Sequence, residues 1–211
     1  MTMRQSLSCI SVVALTALIA LPVAGQGRRD RDRGIVEIAP AGARGGFYIG
    51  GGFGAGRESY KFADETNYTE PLTKPTLTLR LGGTPDPYVR LGGELFAWGN
   101  EEIDRTEFFS TMLGTVQFYP IKDGGLWLKG GAGLAFSGQD FVDPQFLDAT
   151  ETGFGWSVGV GYDAQLSRAI GIGPSVEFYQ GSFTKRDEAT LTERVLNIGV
   201  QVTFQTGGRR R

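Results

Sequence analysis

The sequence predicts an all-β fold: an eight-stranded antiparallel up-and-down β-barrel that crosses a membrane with its strands. Three observations predict it. Eight segments between Gly46 and Phe204 alternate apolar with small or polar residues at a period of two. Glycine is 33 of 211 residues, more than twice its usual share of about 7%, and aromatic residues reach 11%. After the N-terminal segment no run approaches the ~20 apolar residues of a spanning helix, so any membrane crossing has to be made by strands.

The same composition excludes several function classes. Lys and Arg number 21 against 23 Asp and Glu, a net charge of −2, which leaves no basic footprint for nucleic acid. The chain has no His and one Cys. Histidine-based catalysis, histidine metal ligands, internal disulfides and cysteine zinc sites are thereby removed together.

The order of segments begins with an address. Arg4 supplies a positive start, Leu7 to Val23 is almost entirely apolar, and Val23-Ala24-Gly25 places small residues before a cut ahead of Gln26. Residues 1–25 therefore read as a secretory signal peptide, and Cys9 leaves with it. Residues 26–45 form a charged periplasmic leader. In it Arg28-Arg29-Asp30-Arg31-Asp32-Arg33 alternates in sign, as a solvated segment does, or as a contact to anionic lipid or cell-wall polymer would. Ile35 to Ile38 is a short apolar run stopped by Pro40 and Gly42. The barrel occupies 46–204, and a basic C-terminal tail, 205–211, follows it.

Each strand is justified by its own alternation. The first, about Gly46 to Tyr60, puts Phe47, Ile49, Phe53 and Ala55 on one face. The second, Pro75 to Gly83, sets Leu77, Leu79 and Leu81 against Thr76, Thr78 and Arg80. The third, Tyr88 to Trp98, sets Val89, Leu91 and Leu95 against Arg90, Gly92 and Glu94. The fourth, Thr106 to Tyr119, is the least regular, with Phe108, Met112, Val116 and Phe118 opposing Thr111, Leu113, Thr115 and Gln117. The fifth, Leu126 to Phe136, sets Leu126, Leu128, Ala132 and Leu134 against Lys129, Gly131 and Gly133. The sixth is the clearest: Phe154, Trp156, Val158, Val160 and Tyr162 alternate with Gly155, Ser157, Gly159, Gly161 and Asp163. The seventh, Ala169 to Tyr179, sets Ile170, Ile172, Val176 and Phe178 against Gly171, Gly173, Ser175 and Glu177. The eighth, Thr192 to Phe204, sets Leu196, Ile198, Val200, Val202 and Phe204 against Asn197, Gly199, Gln201 and Thr203.

Connection lengths alternate as well. The links after strands two, four and six are short turns, and those after strands one, five and seven are longer. Short turns at one end and longer loops at the other are expected of a bacterial outer-membrane barrel, and an even strand number puts both termini at the short-turn, periplasmic end.

The polar face reads as the interior. It is rich in Gly, Ser and Thr, which suits a bore only just wide enough for side chains. Its large charges cancel: Arg80, Arg90 and Lys129 against Glu94, Asp163 and Glu177 form a candidate barrel-interior charge cluster. The opposite face is free of charge at its centre. It supplies candidate lipid-facing residues Leu79, Leu91, Leu134, Val158, Val160, Ile172, Ile198 and Val200. Aromatic residues gather toward strand ends, as the amphipathic rings of two interfacial girdles would. Tyr88, Phe118, Tyr119, Trp127, Tyr162 and Phe204 lie toward the short-turn end; Tyr60, Trp98, Phe108, Phe136, Phe154 and Phe178 lie toward the loops. The competing arrangement is a soluble periplasmic lipocalin-like ligand-binding barrel with the apolar face inward.

With the signal peptide, the Gly-rich start Gly46-Phe47-Tyr48-Ile49-Gly50-Gly51-Gly52-Phe53-Gly54 and the last strand Val195 to Phe204, the chain resembles small outer-membrane β-barrel proteins of the OmpA/OmpX-like type. The resemblance implies a monomer in the cell outer membrane, inserted by the barrel-assembly machinery, which reads a final strand ending in an aromatic. Residues 205–211 follow Phe204 and depart from that strict ending.

Barrel enzymes of this general outline rely on His, so their mechanisms do not carry over to a chain without it. A Ser-Lys or carboxylate-pair site remains open by residue type. The loop carboxylates Asp64, Glu65, Glu70, Glu101, Glu102, Asp104, Asp140, Asp143, Asp148 and Glu151 read as a solvated acidic rim. Weak Ca²⁺ or Mg²⁺ binding shared with lipopolysaccharide phosphates is the sharper reading, although the spacing matches no loop motif. The glycine runs lie inside alternating strands with no following helix, which excludes a nucleotide loop. The expected function is a structural or surface-interaction role in the outer membrane. No catalysis and no cofactor are expected, and the expected partners are outer-membrane lipid and lipopolysaccharide. The alternative is a porin-like small-solute or ion pore through the barrel.

Overall fold

The computed structural model describes residues 44–101, 105–122, 124–141, 149–167, 169–184 and 190–206. The expected signal peptide, the expected leader up to residue 43 and the tail from residue 207 lie outside the described residues. Those residues form β1 (Gly46–Phe62), β2 (Leu72–Asp86), β3 (Val89–Glu101), β4 (Arg105–Phe118), β5 (Leu126–Phe141), β6 (Ala149–Tyr162), β7 (Ala164–Gln165), β8 (Ile170–Phe183) and β9 (Leu191–Gln205). Among them there is no helix.

Every neighbouring pair is antiparallel, and the chain order is the spatial order. The two residues of β7 pair with β8 through Ala164 and Ile172, the register in which β6 already pairs with β8 through Gly161 and Ser175. β7 is thus the end of the β6 stave beyond a break at Asp163, and the barrel has eight staves. β1 pairs with β9 from Tyr48 opposite Gln205 to Phe62 opposite Leu191, which closes the ring. Closure leaves no open edge, the condition for strands to stand in hydrocarbon.

The eight staves run 13 to 17 residues. A tilted strand needs only about 9–11 to cross the apolar core of a bilayer. Counted from Phe47 on β1 and from Phe204 on β9, that length ends near Arg57 and Arg194, the first outward charges on each strand. The ladder therefore continues past the membrane at the loop end. This is where the strands differ from expectation: β2 begins at Leu72 rather than Pro75, and β8 continues to Phe183 rather than Tyr179. Once the stave leaves hydrocarbon its outer face need not be apolar, so the alternation fades while the hydrogen bonds persist.

Of the expected lipid-facing residues, Leu79, Leu91, Leu134, Val158, Val160, Ile198 and Val200 point outward and are exposed, and Ile172 is half-buried. Among the expected girdle residues, Tyr88, Phe118, Tyr162, Phe204 and Phe154 are outward and exposed, with Phe108 and Phe136 half-buried.

Three girdle assignments are corrected. Trp127, Tyr119 and Trp98 are inside the barrel, with Trp127 at 0% exposure. Parity places them there. Leu126 and Leu128 point out, so Trp127 points in, and it sits opposite Gly161 on β6. A Cβ at Gly161 would come within 2.2 Å of the indole ring, so the glycine is what makes room for it. Trp98 is housed in the same way: its Nε1 donates to the Gly56 carbonyl at 3.0 Å, and a Cβ at Gly56 would lie 2.9 Å from the ring.

Two outcomes follow from this packing. Replacing Ile198 or Val158 by Arg, on the outward face at mid-stave, should cost ~2–4 kcal/mol of stability, read by urea unfolding in lipid vesicles. Unchanged unfolding would mean that this face does not meet hydrocarbon. Gly161→Ala should cost about 1–3 kcal/mol by overpacking, and Trp127→Leu in the same chain should recover part of the loss. A double variant no more stable than Gly161→Ala would disprove the pairing of that glycine with the ring.

Candidate functional site

The inward positions of the eight staves build the candidate site. The paired charges lie in the half nearer the termini, among the inward rings of Tyr48, Tyr119 and Trp127, and an apolar block dominated by aromatic residues lies in the half nearer the loops. Arg80 on β2 lies directly across from Glu94 on β3, and Lys129 on β5 is separated from Glu177 on β8 only by Gly159 of β6. The glycine leaves the bore open enough for the two long side chains to meet.

These four residues form a closed ionic ring. Lys129 Nζ donates to Glu94 Oε2 at 2.6 Å and to Glu177 Oε2 at 2.6 Å. Arg80 donates through Nη2 to Glu177 Oε2 at 2.6 Å, and through Nε to Glu94. Tyr179 caps the ring, accepting from Lys129 at 3.1 Å while its own hydroxyl donates to Glu177. Two cations face two anions, so the tier is neutral, as charges this deeply buried require.

A second tier lies toward the termini. Arg90 Nη1 donates to Asp163 Oδ2 at 3.0 Å, Tyr119 donates to the same oxygen at 2.8 Å, and Arg90 Nη2 donates to Gln205 at 2.8 Å. The Arg90 guanidinium also lies 5.0 Å from the Tyr48 ring centroid and 5.1 Å from that of Tyr119. Gln201 joins the tiers: it accepts from Arg80 and donates to Asp163 at 2.7 Å. Arg44, just before β1, covers the turn end. Its guanidinium stacks 3.8 Å from the Tyr119 ring centroid and donates to the Gly124 and Ile121 carbonyls at 2.7 and 3.2 Å.

Above the ionic ring the bore is filled by an apolar block of Phe96, Trp98, Phe109, Leu113, Tyr179 and Phe183, with Ala135 and Val195. Phe96 and Tyr179 stack with centroids 3.8 Å apart and planes 11° from parallel. Above the block, at the loop end, Glu58, Glu107 and Glu193 line a cavity of about 130 Å³ together with Tyr60, Phe62, Trp98 and Phe108.

The structure thus brings Arg80, Arg90, Glu94, Lys129, Asp163 and Glu177 into two linked tiers. Sequence reasoning missed the neutral groups that complete them, Tyr48, Tyr119, Tyr179, Gln201 and Gln205, and the cation that covers the turn end, Arg44. Inward parity was the available signal for all but Arg44, which precedes the first strand. It missed Glu58, Glu107 and Glu193 for a different reason, since they lie where the apolar alternation has ended. Of the expected rim carboxylates, Glu151 is half-buried rather than solvated, and Glu102, Asp104, Asp143 and Asp148 lie outside the described residues. No three acidic residues among the described residues come together in a metal-holding arrangement.

The arrangement holds charges in place and leaves none of them poised for chemistry. Each charged group of the two tiers is engaged by a partner of opposite sign.

A model of the outer membrane protein beta-barrel domain matches residues 11–204. Among solved structures, the crystal structure of Neisserial surface protein A matches at 12% identity and a TM-score of 0.51, covering 74% of this chain and 96% of that one. Ail, the attachment invasion locus protein of Yersinia pestis, matches at 15% identity and a TM-score of 0.47, covering 75% and 99%. OprG from Pseudomonas aeruginosa matches at 13% identity and a TM-score of 0.40, covering 79% and 99%. No curated sequence matches significantly. At such identities the likeness to Neisserial surface protein A shows the fold alone.

The ionic ring makes a measurable claim. Lys129→Met leaves Glu94 and Glu177 sharing one cation, and should cost about 3–5 kcal/mol in vesicle unfolding. Adding Glu94→Gln to that variant should restore part of the loss. If the two substitutions were simply additive, the ring would not be the unit described.

Proposed function

The chain belongs to the outer membrane protein beta-barrel domain family, and on that premise we propose that it is a sealed outer-membrane barrel with a structural or surface-interaction role. It catalyses nothing and conducts no solute. The observation that carries this reading is the filling of the bore. A solute entering from the turns meets Arg44, then the Arg90 tier, then the ionic ring, then a stacked aromatic block. Passage would separate buried ion pairs, and leaving one such charge uncompensated costs about 3–5 kcal/mol.

The absence of catalysis rests on the chemistry of these groups. A general base or nucleophile needs an accessible, unneutralised group within reach of substrate. The tier residues are buried and paired, and the chain has no His. The outward apolar belt supports lipid as the surrounding medium, against a soluble lipocalin-like barrel. At the loop-end rim, Arg57 is exposed, and Arg194 stacks 3.4 Å from the Tyr68 ring centroid while donating to Ser59 at 3.0 Å. Such outward cations at the membrane boundary suit lipopolysaccharide phosphates as partners. The chain inserts as a monomer through the barrel-assembly machinery, with Phe204 as its terminal aromatic, after cleavage of residues 1–25.

Planar-bilayer recordings of the refolded mature chain test this reading. No steady conductance steps are expected from wild type, whereas Lys129→Met, with its ring broken, should show brief openings. Stable steps from wild type would establish the pore instead.

A further inference from the structure

The cavity at the loop end has a composition unlike the bore beneath it. Glu58 on β1, Glu107 on β4 and Glu193 on β9 face it, and the rings of Tyr60, Phe62 and Trp98 wall it. Its floor is closed, because Trp98 belongs to the apolar block that fills the barrel below. The cavity is a dead end of about 130 Å³.

Glu58 gives the cavity a direction. Its side chain is only 6% exposed, yet Oε1 has no hydrogen-bond partner. A buried carboxylate oxygen left without a donor is costly, and each such group asks for an explanation. Nothing among the described residues supplies a cation to it. The two neighbouring acids differ in this respect: Glu107 accepts from Asn100 at 3.3 Å, and Glu193 is hydrogen-bonded to Ser137. What the site lacks is a positively charged donor small enough to enter over aromatic faces.

Two considerations define that donor. The acids do not converge as a metal site would, so a compact divalent ion is poorly served. Aromatic faces attract organic cations through their ring quadrupoles, and an ammonium N–H offers Glu58 Oε1 a charge-assisted donor that a quaternary cation lacks. We propose that this cavity binds the primary ammonium group of a small alkylamine, with Glu58 as the principal anchor, Glu193 as the second carboxylate, and Trp98, Tyr60 and Phe62 as the walls.

Protonation supports the assignment. Glu58 and Glu193 lie just beyond the outward Arg57 and Arg194, outside the membrane-spanning part of their strands. Burial, with repulsion from Glu107, raises the Glu58 carboxyl to about 7. Burial, with repulsion from Glu58, Glu107 and Glu151, raises that of Glu193 to about 8 despite the Ser137 hydrogen bond. Both acids hold protons near neutrality for want of a cation, and a bound ammonium would displace those protons. Affinity should therefore rise with pH through this range. The cavity belongs to the folded barrel itself, so the proposal stands or falls independently of conductance.

Titration calorimetry of the mature chain in detergent micelles, with n-propylammonium as the probe, tests the site. Saturable binding with a Kd on the order of millimolar is expected, weakened about tenfold in Glu58→Gln, the loss of roughly one charge-assisted hydrogen bond. Tetramethylammonium, which has no N–H, should bind more weakly, and the affinity for n-propylammonium should climb as pH passes about 7 and then about 8. Three results would each overturn the proposal: no saturable heat, unchanged affinity in a Glu58→Gln protein that retains its β circular dichroism, or Mg²⁺ competing on equal terms. If Glu58→Gln does not fold, Glu193→Gln and the wild-type pH profile decide in the same sense.

Discussion

Backbone hydrogen bonding in a medium without water is the constraint from which the rest of this structure follows. In hydrocarbon each unpaired N–H or C=O costs several kcal/mol, so a sheet survives only when its first and last strands meet. Here β1 and β9 meet along nearly their whole length, from Tyr48 opposite Gln205 to Phe62 opposite Leu191. Once the ring is closed, the period-two geometry of a strand leaves each residue one of two destinations, lipid or bore. Leucine and valine take the first, and everything polar must be accommodated in the second.

With eight staves the bore is narrow, and its contents are negotiated pair by pair across neighbouring strands. Large residues stand where a neighbour has no side chain: Trp127 against Gly161, Trp98 over Gly56, and the Lys129–Glu177 contact across Gly159. At these inward positions glycine is a packing requirement, set by the large side chains that must share one lumen. Charge obeys a parallel rule. Far from bulk water, Arg80, Lys129, Glu94 and Glu177 are tolerable only as a neutral set, and Tyr179 and Gln201 take up donors and acceptors that the four do not satisfy among themselves.

This division explains what could be read from the sequence. Strand number, chain order, the outward belt and the six interior charges follow from alternation, because alternation is what the lipid boundary imposes. Trp127 was misplaced because an aromatic near a strand end satisfies two explanations, an interfacial girdle and an inward ring opposite glycine. Its parity relative to Leu126 and Leu128 was the better guide. Glu58, Glu107 and Glu193 were illegible for a different reason. They sit on ladder that protrudes from the bilayer, where Arg57 and Arg194 can face outward, so no apolar stripe marks the strand. The tertiary neighbours of such residues come from staves far apart in sequence, and no local pattern records them.

The two ends of the lumen consequently obey different electrostatics. Between lipid-facing walls a carboxylate without a cation would force its own protonation or unfold the barrel, so Glu94, Asp163 and Glu177 are each held by Lys or Arg. Above the membrane boundary the walls face water. A raised carboxyl such as that of Glu58 or Glu193 can release its proton when a cation arrives and recover it when the cation leaves. An acid that remains protonated for lack of a partner is poorly suited to holding the fold together and well suited to binding reversibly. The chain places its paired charges in the membrane and the uncompensated carboxyl of Glu58 just outside it, so the proposed ligand site is in the part of the lumen that lies beyond the bilayer.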